Sequence, residues 1–165
     1  MIRPRVIPVL LLNHWGIEKS IRFGDFVYVG SPVNAARVLS DMQADELIVL
    51  DIRATPEGRG PGLDVIELMA AEVTMPLTVG GGIRTIADIE SLMAAGADRV
   101  VLNTAASESP ELVDAAARRY GSQCVVVSLD ARRLCDDSYQ VVTRCGRVAT
   151  GCDPAERARD AERRG

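Results

Sequence analysis

Five short apolar runs, each followed by a stretch of helical period, limit the fold of this chain more than any other feature. The runs are residues 6–12, 46–51, 77–80, 99–103 and 124–130, each of strand length and bounded by turn residues. After the first run, Ser31-Pro32 supplies an N-cap and a first-turn proline ahead of Val33, Ala36 and Leu39 on one helical face. Leu63, Ile66, Met69 and Val73 make a second face. Thr85 with Asp88 has the form of a capping box ahead of Ile86, Ile89 and Met93, and Gly96 stops that helix. Ser109-Pro110 starts another, which Gly121 ends.

Strands alternating with helices imply βαβ units and a parallel sheet. Continuous apolar strands agree, because a parallel sheet is covered on both faces. The fifth unit differs. Residues 139–143 and 147–150 flank Cys145-Gly146 and read as a small β-hairpin placed before the next helix. That last helix, from Asp153 and Pro154, has only alanines to offer as an apolar face in ERARDAERRG. Five βα units are compatible with an open α/β domain or with the first part of a (β/α)8 barrel, which takes about 250 residues.

The first run lies within PRVIPVLLLNHWG and invites comparison with a secretion signal. Pro4 and Pro8 interrupt the run, and Asn13-His14-Trp15 is no cleavage site. No segment approaches the ~20 apolar residues of a membrane-spanning helix. A cytoplasmic protein without membrane contact is expected. The net charge of −4 leaves no basic footprint for nucleic acid. One histidine and four cysteines without CxxC spacing argue against a metal site, and the thiols are expected to be free. No cofactor is implied.

In parallel α/β architectures chemistry gathers at the carboxyl ends of the strands. Those ends carry Asp51, Gly80-Gly81-Gly82, Asn103-Thr104 and Asp130. Gly81 and Gly82 let the backbone approach a ligand and present N–H groups to an anion, and Asn103 and Thr104 can add donors from the next loop. A phosphate cradle and a ligand-free tight turn both fit. Asp130 suits a general acid or base, or equally a loop-fixing carboxylate. At the opposite strand ends Arg5, Glu46 and Arg99 read either as a solvated rim or as a salt-bridged ring.

The runs ELIVLDI, PLTVGGGIRT, DRVVLNTAA and GSQCVVVSLDARR resemble the HisF family, the cyclase subunit of imidazole glycerol phosphate synthase, over essentially the whole chain. The resemblance implies a (β/α)8 TIM barrel, of which residues 1–165 would form the N-terminal portion, truncated after the first five βα units. It further implies a HisH-type glutaminase partner, whose ammonia enters the barrel floor and meets a phosphorylated small-molecule ligand at the top. By position, Gly82, Asn103 and Thr104 match the family's phosphate loops, with Gly81 beside them, and Asp130 matches one of two catalytic aspartates. Arg5, Glu46 and Arg99 match its ammonia gate, with arginine where lysine is common, and Lys19 matches a lysine of the first loop.

One departure stands out. The family's first strand ends in a second catalytic aspartate, and here that position is Leu11. Leucine can neither give nor take a proton, and losing one member of an acid–base pair costs roughly 10²–10⁴ in rate. Neither Asn13 nor His14 is an obvious substitute. RPRVIPVLLL and YVGSPVNAARV resemble a HisF-like branch associated with converting acetamido to acetamidino groups on cell-surface sugars, where a separate amidotransferase performs the amidation. That role is the expected one. The histidine-pathway cyclase, making imidazole glycerol phosphate and aminoimidazole carboxamide ribotide, and an inactive fragment are the alternatives.

Overall fold

The computed structural model describes residues 3–165. The chain forms β1 (Val9–Asn13), β2 (Gly16–Ile21) and β3 (Gly24–Gly30), then α1 (Pro32–Asp41), β4 (Leu47–Asp51), α2 (Ala54–Glu57) and α3 (Leu63–Ala70). Next come β5 (Leu77–Gly80), α4 (Ile86–Ala94), β6 (Arg99–Leu102), α5 (Thr104–Glu108), α6 (Glu111–Tyr120) and β7 (Val125–Val127). Three short strands, β8 (Asp130–Arg133), β9 (Tyr139–Thr143) and β10 (Val148–Ala149), precede α7 (Pro154–Arg164). The main sheet has seven strands in the order β3-β2-β1-β4-β5-β6-β7, and β8 to β10 form a separate small sheet. From β1 to β7 the pairing is parallel, as the alternation of runs implies.

The parallel register carries one row of residues across the sheet: Leu11 beside Leu50, Leu50 beside Gly80, Gly80 beside Val101, and Val101 beside Val126. Their alternates, Leu12, Val49, Val79 and Val100, are all but fully buried and join Ala36 of α1, Ile66 and Met69 of α3, Ile89 and Leu92 of α4, and Val113 and Ala116 of α6 in one core. The long helices therefore cover a single face of the sheet. The other face, with Leu11, Leu50 and Val101, is left for the site.

Several elements depart from the sequence reading. β1 begins at Val9 rather than residue 6 because Pro8 has no N–H to donate to a ladder and contributes only its carbonyl, which accepts from Ile48 N at 3.0 Å. The β2–β3 hairpin carries no strong turn signal. Its turn is made by Arg22 and Phe23 at φ 52° and 63°, a left-handed pair that sequence patterns attribute to Asn-Gly. Residues 124–130 are not one strand: Cys124 sits in a 3-10 turn, β7 is three residues long, and Asp130 opens β8 in the small sheet. The hairpin about Cys145-Gly146 forms as β9 and β10, with β8 as an added third strand. All four cysteines are free.

Local capping follows the sequence. Thr85 Oγ1 accepts from Asp88 N at 3.2 Å and Asp88 Oδ2 accepts from Thr85 N at 2.9 Å. Asp153 caps α7 through Ala155 N and Glu156 N at 2.8 and 3.0 Å. With no buried residue, α7 is tied to α6 by Arg164 and Asp114 at 2.7 Å.

The glycine triplet is required by packing as well as by conformation. A Cβ at Gly80 would sit 2.7 Å from Val101 Cβ, and one at Gly82, at φ +73°, would sit 2.6 Å from the carbonyl oxygen of Arg59. Gly81, at φ +103°, presses directly on the backbone of Asp51. Gly81→Ala is expected to destabilise the fold by about 2–4 kcal/mol, the combined cost of backbone strain and displacement of a strand end. A urea unfolding midpoint equal to that of the native chain would contradict this.

Candidate functional site

A cleft of about 220 Å³ opens at the carboxyl ends of the parallel strands. Leu11, Leu50 and Val101 form its base, and Gly81, Gly82, Asn103 and Thr104 line one side. Phe23 and Phe26 from the β2–β3 hairpin and Cys145 and Arg147 from the β9–β10 turn also border it.

The candidate phosphate residues come together here, with several of their polar groups already engaged. Gly82 N donates to Thr55 Oγ1 at 3.3 Å. The Thr104 hydroxyl donates to Asn103 Oδ1 at 3.4 Å and accepts from Arg144 N at 3.2 Å. The Asn103 side-chain amide reaches Ser128 O at 3.0 Å and Asp130 Oδ2 at 3.2 Å. Asn103 thus ties the end of β6 to the aspartate. Burial holds the Asp130 carboxyl above the usual range, and the Asn103 hydrogen bond only partly offsets this.

Asp51, the other strand-end carboxylate, is committed to structure. It is 4% exposed, accepts from Arg53 N and Ala54 N, and is gripped by both Arg59 terminal nitrogens at 2.6 and 3.0 Å. Lys19 does not join the cleft. It is exposed on β2, next to Ser20, which does line it.

Two residues outside the sequence reading bear on Leu11. Glu18 of β2 stands directly across the antiparallel ladder from it, on the same face of the sheet. Glu18 Oε1 accepts from Asn13 Nδ2 at 2.8 Å, while Oε2 is buried with no hydrogen-bond partner among the described residues. Arg53 enters the cleft with its guanidinium 5.1 Å from the centre of the Phe26 ring. Only the pairing of β1 with β2 sets Glu18 beside Leu11; Glu18 itself does not line the cleft, and the hairpin that brings the two together had no clear signature.

At the opposite ends of the strands, Glu46 is 3% exposed and gathers three groups. Its Oε1 accepts from Thr78 Oγ1 at 2.7 Å, its Oε2 from Arg99 Nη1 at 2.7 Å, and Arg5 Nη1 lies 3.8 Å from that same oxygen. Thr78 and Arg99 are neighbours across the β5–β6 register, two residues below Gly80 and Val101. The face that carries the cleft therefore carries the ionic cluster at its other end, with Ile48, Leu50 and Val101 between them.

Fold and cleft together define an α/β domain that concentrates its reactive groups at the carboxyl ends of parallel strands, as enzymes of this class do. The chain belongs to the histidine biosynthesis protein family, whose model matches residues 5–165, and within it to the HisF family. It is 44% identical over 168 residues to the imidazole glycerol phosphate synthase subunit HisF of Trichormus variabilis, covering 100% of this chain and 65% of that protein. The subunit of the same name from Bacillus cereus is 44% identical over 153 residues, covering 93% of this chain and 61% of the relative. The Nostoc protein is 43% identical over 168 residues. The chain thus spans less than two thirds of the length of these relatives. Among the described residues no helix is long and apolar enough to cross a membrane.

Because burial disfavours its charged form, Asp130 binds its proton more tightly in the folded chain than in the unfolded one. It favours the fold below the ordinary carboxylate range, and that contribution is lost as pH rises through its raised value. Asp130→Asn keeps an acceptor for Asn103 and removes the titration. The variant is expected to melt above the native chain at pH 7, with the gap closing towards pH 3. A gap independent of pH would refute the assignment.

Proposed function

We propose that this chain is part of an ammonia-handling HisF-like barrel subunit, its five parallel βα units corresponding to the first five of a (β/α)8 barrel. The arrangement of its inner face is what carries the proposal. A charged cluster of Arg5, Glu46 and Arg99 lies at one end, an apolar band follows, and a polar cleft with Asp130, Asn103 and Thr104 lies at the other. Helices confined to one face of the sheet support a barrel over a doubly wound fold, whose helices cover both faces. In this reading a HisH-type glutaminase docks over the charged floor, ammonia crosses the apolar band, and a phosphorylated ligand occupies the cleft against Gly82, Asn103 and Thr104. Lys19 would serve from β2, in the segment between the first strand and α1, and the setting is the cytoplasm.

Leu11 in the cleft base favours the branch that supports amidation of a cell-surface sugar through a separate amidotransferase, because it removes the first-strand acid from beside Asp130. Glu18 favours a second reading. A carboxylate directly across from residue 11 would restore an acid–base pair and with it the cyclase of histidine biosynthesis. Turnover of the bisphosphorylated ribotide with ammonium salt separates the two. The sugar reading expects none, and expects Leu11→Asp to create measurable activity. The cyclase reading expects turnover that Glu18→Gln reduces by about 10²-fold or more.

The floor is tested apart from the acceptor. Glu46 is too buried for truncation to alanine to be clean, since Arg99 and Thr78 would lose their partner. Glu46→Gln keeps a hydrogen-bonding side chain for Thr78 and removes the charge. In the complex with a glutaminase it is expected to raise the glutamine consumed per aminated product. An unchanged ratio would reduce Arg5, Glu46 and Arg99 to a structural ion cluster with no part in ammonia transfer.

A further inference from the structure

The turn between β9 and β10 is a strained piece of backbone in the wall of the cleft. Arg144, Cys145 and Gly146 follow one another in the left-handed region, at φ 51°, 58° and 73°. Two of the three carry a Cβ, and such residues keep that conformation only where their surroundings impose it. The strands beside the turn impose little. Val141, Val142 and Thr143 of β9 are buried, but β10 is two residues long and both are exposed.

The turn is held instead by its own contacts. Arg144 Nε and Nη2 donate to the two carboxylate oxygens of Glu108 at 2.7 and 2.9 Å. Arg144 N donates to Thr104 Oγ1 at 3.2 Å, and Arg132 Nη2 donates to the carbonyl oxygen of Gly146. A Cβ on Gly146 would lie 2.9 Å from the Phe23 ring, so the tip rests on the β2–β3 hairpin. Thr104 and Glu108 are the first and last residues of α5, which Ala105 and Ala106 anchor in the core. The turn is therefore tied to both ends of a fixed helix.

These ties decide what the cleft presents. Thr104, Cys145 and Arg147 all border it. While the turn is tied, the Thr104 hydroxyl accepts from Arg144 N and the Cys145 thiol is half-buried. Burial holds that thiol above its usual range, Asp130 adds to the rise, and Arg147 and Arg53 only partly oppose it. Of the ties, only the one between Arg144 and Glu108 joins two full charges, and their side chains are 57% and 43% exposed. A two-pronged contact is the kind of surface ion pair that does contribute, and its exposure leaves it open to screening by salt.

We propose that the β9–β10 turn is a strap across one side of the cleft and that the Arg144–Glu108 pair is its latch. Fastened, it shields Cys145 and engages the Thr104 hydroxyl. Released, it lets the strained turn relax away from α5 and opens both to solvent. The latch does not depend on which ligand the cleft takes.

Cys145 reports the state of the strap, because alkylation needs an exposed thiolate. Iodoacetamide labelling of the full chain at pH 8, with peptide mass spectrometry to resolve the four cysteines, measures it. Arg144→Gln and Glu108→Gln are each expected to label Cys145 about fivefold faster, the factor that matches about 1 kcal/mol for one exposed pair. Cys135, already exposed, should keep its native rate. Salt at about 0.5 M should speed Cys145 in the native chain and leave it unchanged in either variant. The exchanged pair, Arg144→Glu with Glu108→Arg, should restore slow labelling. Amide exchange should quicken at residues 144–147 and stay slow at Val141–Thr143. Native labelling of Cys145 in both variants and in salt overturns the latch. Equal acceleration at all four cysteines, or fast exchange through Val141–Thr143, means general unfolding and overturns it as well.

Discussion

Everything at the two ends of this sheet depends on the register of the parallel strands. Side chains alternate with a period of two, so the pairing of Leu11, Leu50, Gly80, Val101 and Val126 in one row decides which residues face the helices and which face the cleft. A slip of one residue would turn Arg99 towards the helices and Val100 towards the open face. Glycine at position 80 fixes the row in turn, because no larger side chain fits between Leu50 and Val101 at that height.

Three carboxylates show how the same functional group meets different ends. Asp51 is saturated by Arg59 and backbone donors and holds the β4–α2 turn together. Glu46 is equally buried but is shared between a hydroxyl and two arginines at the opposite end. Asp130 has a single amide donor and a half-buried position, so its proton is held more tightly than usual. Of the three, only Asp130 combines a place in the cleft with spare capacity to give or take a proton.

The β2–β3 hairpin joins the two halves of the cleft. Phe26 supports Arg53 from the fourth strand's loop, and Phe23 packs against the turn that carries Cys145 and Arg147. Much of the hairpin's outer surface is apolar and exposed at Val27, Tyr28 and Val29. Few buried contacts anchor it, the condition under which a segment opens at low free-energy cost.

The alternation of apolar runs and helical faces, by itself, determined the parallel α/β core, because one face packs under helices and the other is still lined by apolar side chains such as Leu11, Leu50 and Val101, which leaves an unbroken hydrophobic signature. The capping box of Thr85 and Asp88, the glycine loop, and the placing of Asn103, Thr104 and Asp130 at strand ends were legible for the same local reason. Tertiary structure alone decided what those groups do to one another. Glu18 meets Leu11 only through the β1–β2 hairpin, whose turn at His14-Trp15 holds His14 at φ 49°. Arg59, eight residues beyond Asp51, folds back to grip that carboxylate, while the Arg53 guanidinium lies over Phe26. Periodicity records which face a residue occupies, but competition among charges for partners is settled only when distant segments are brought within a few ångströms.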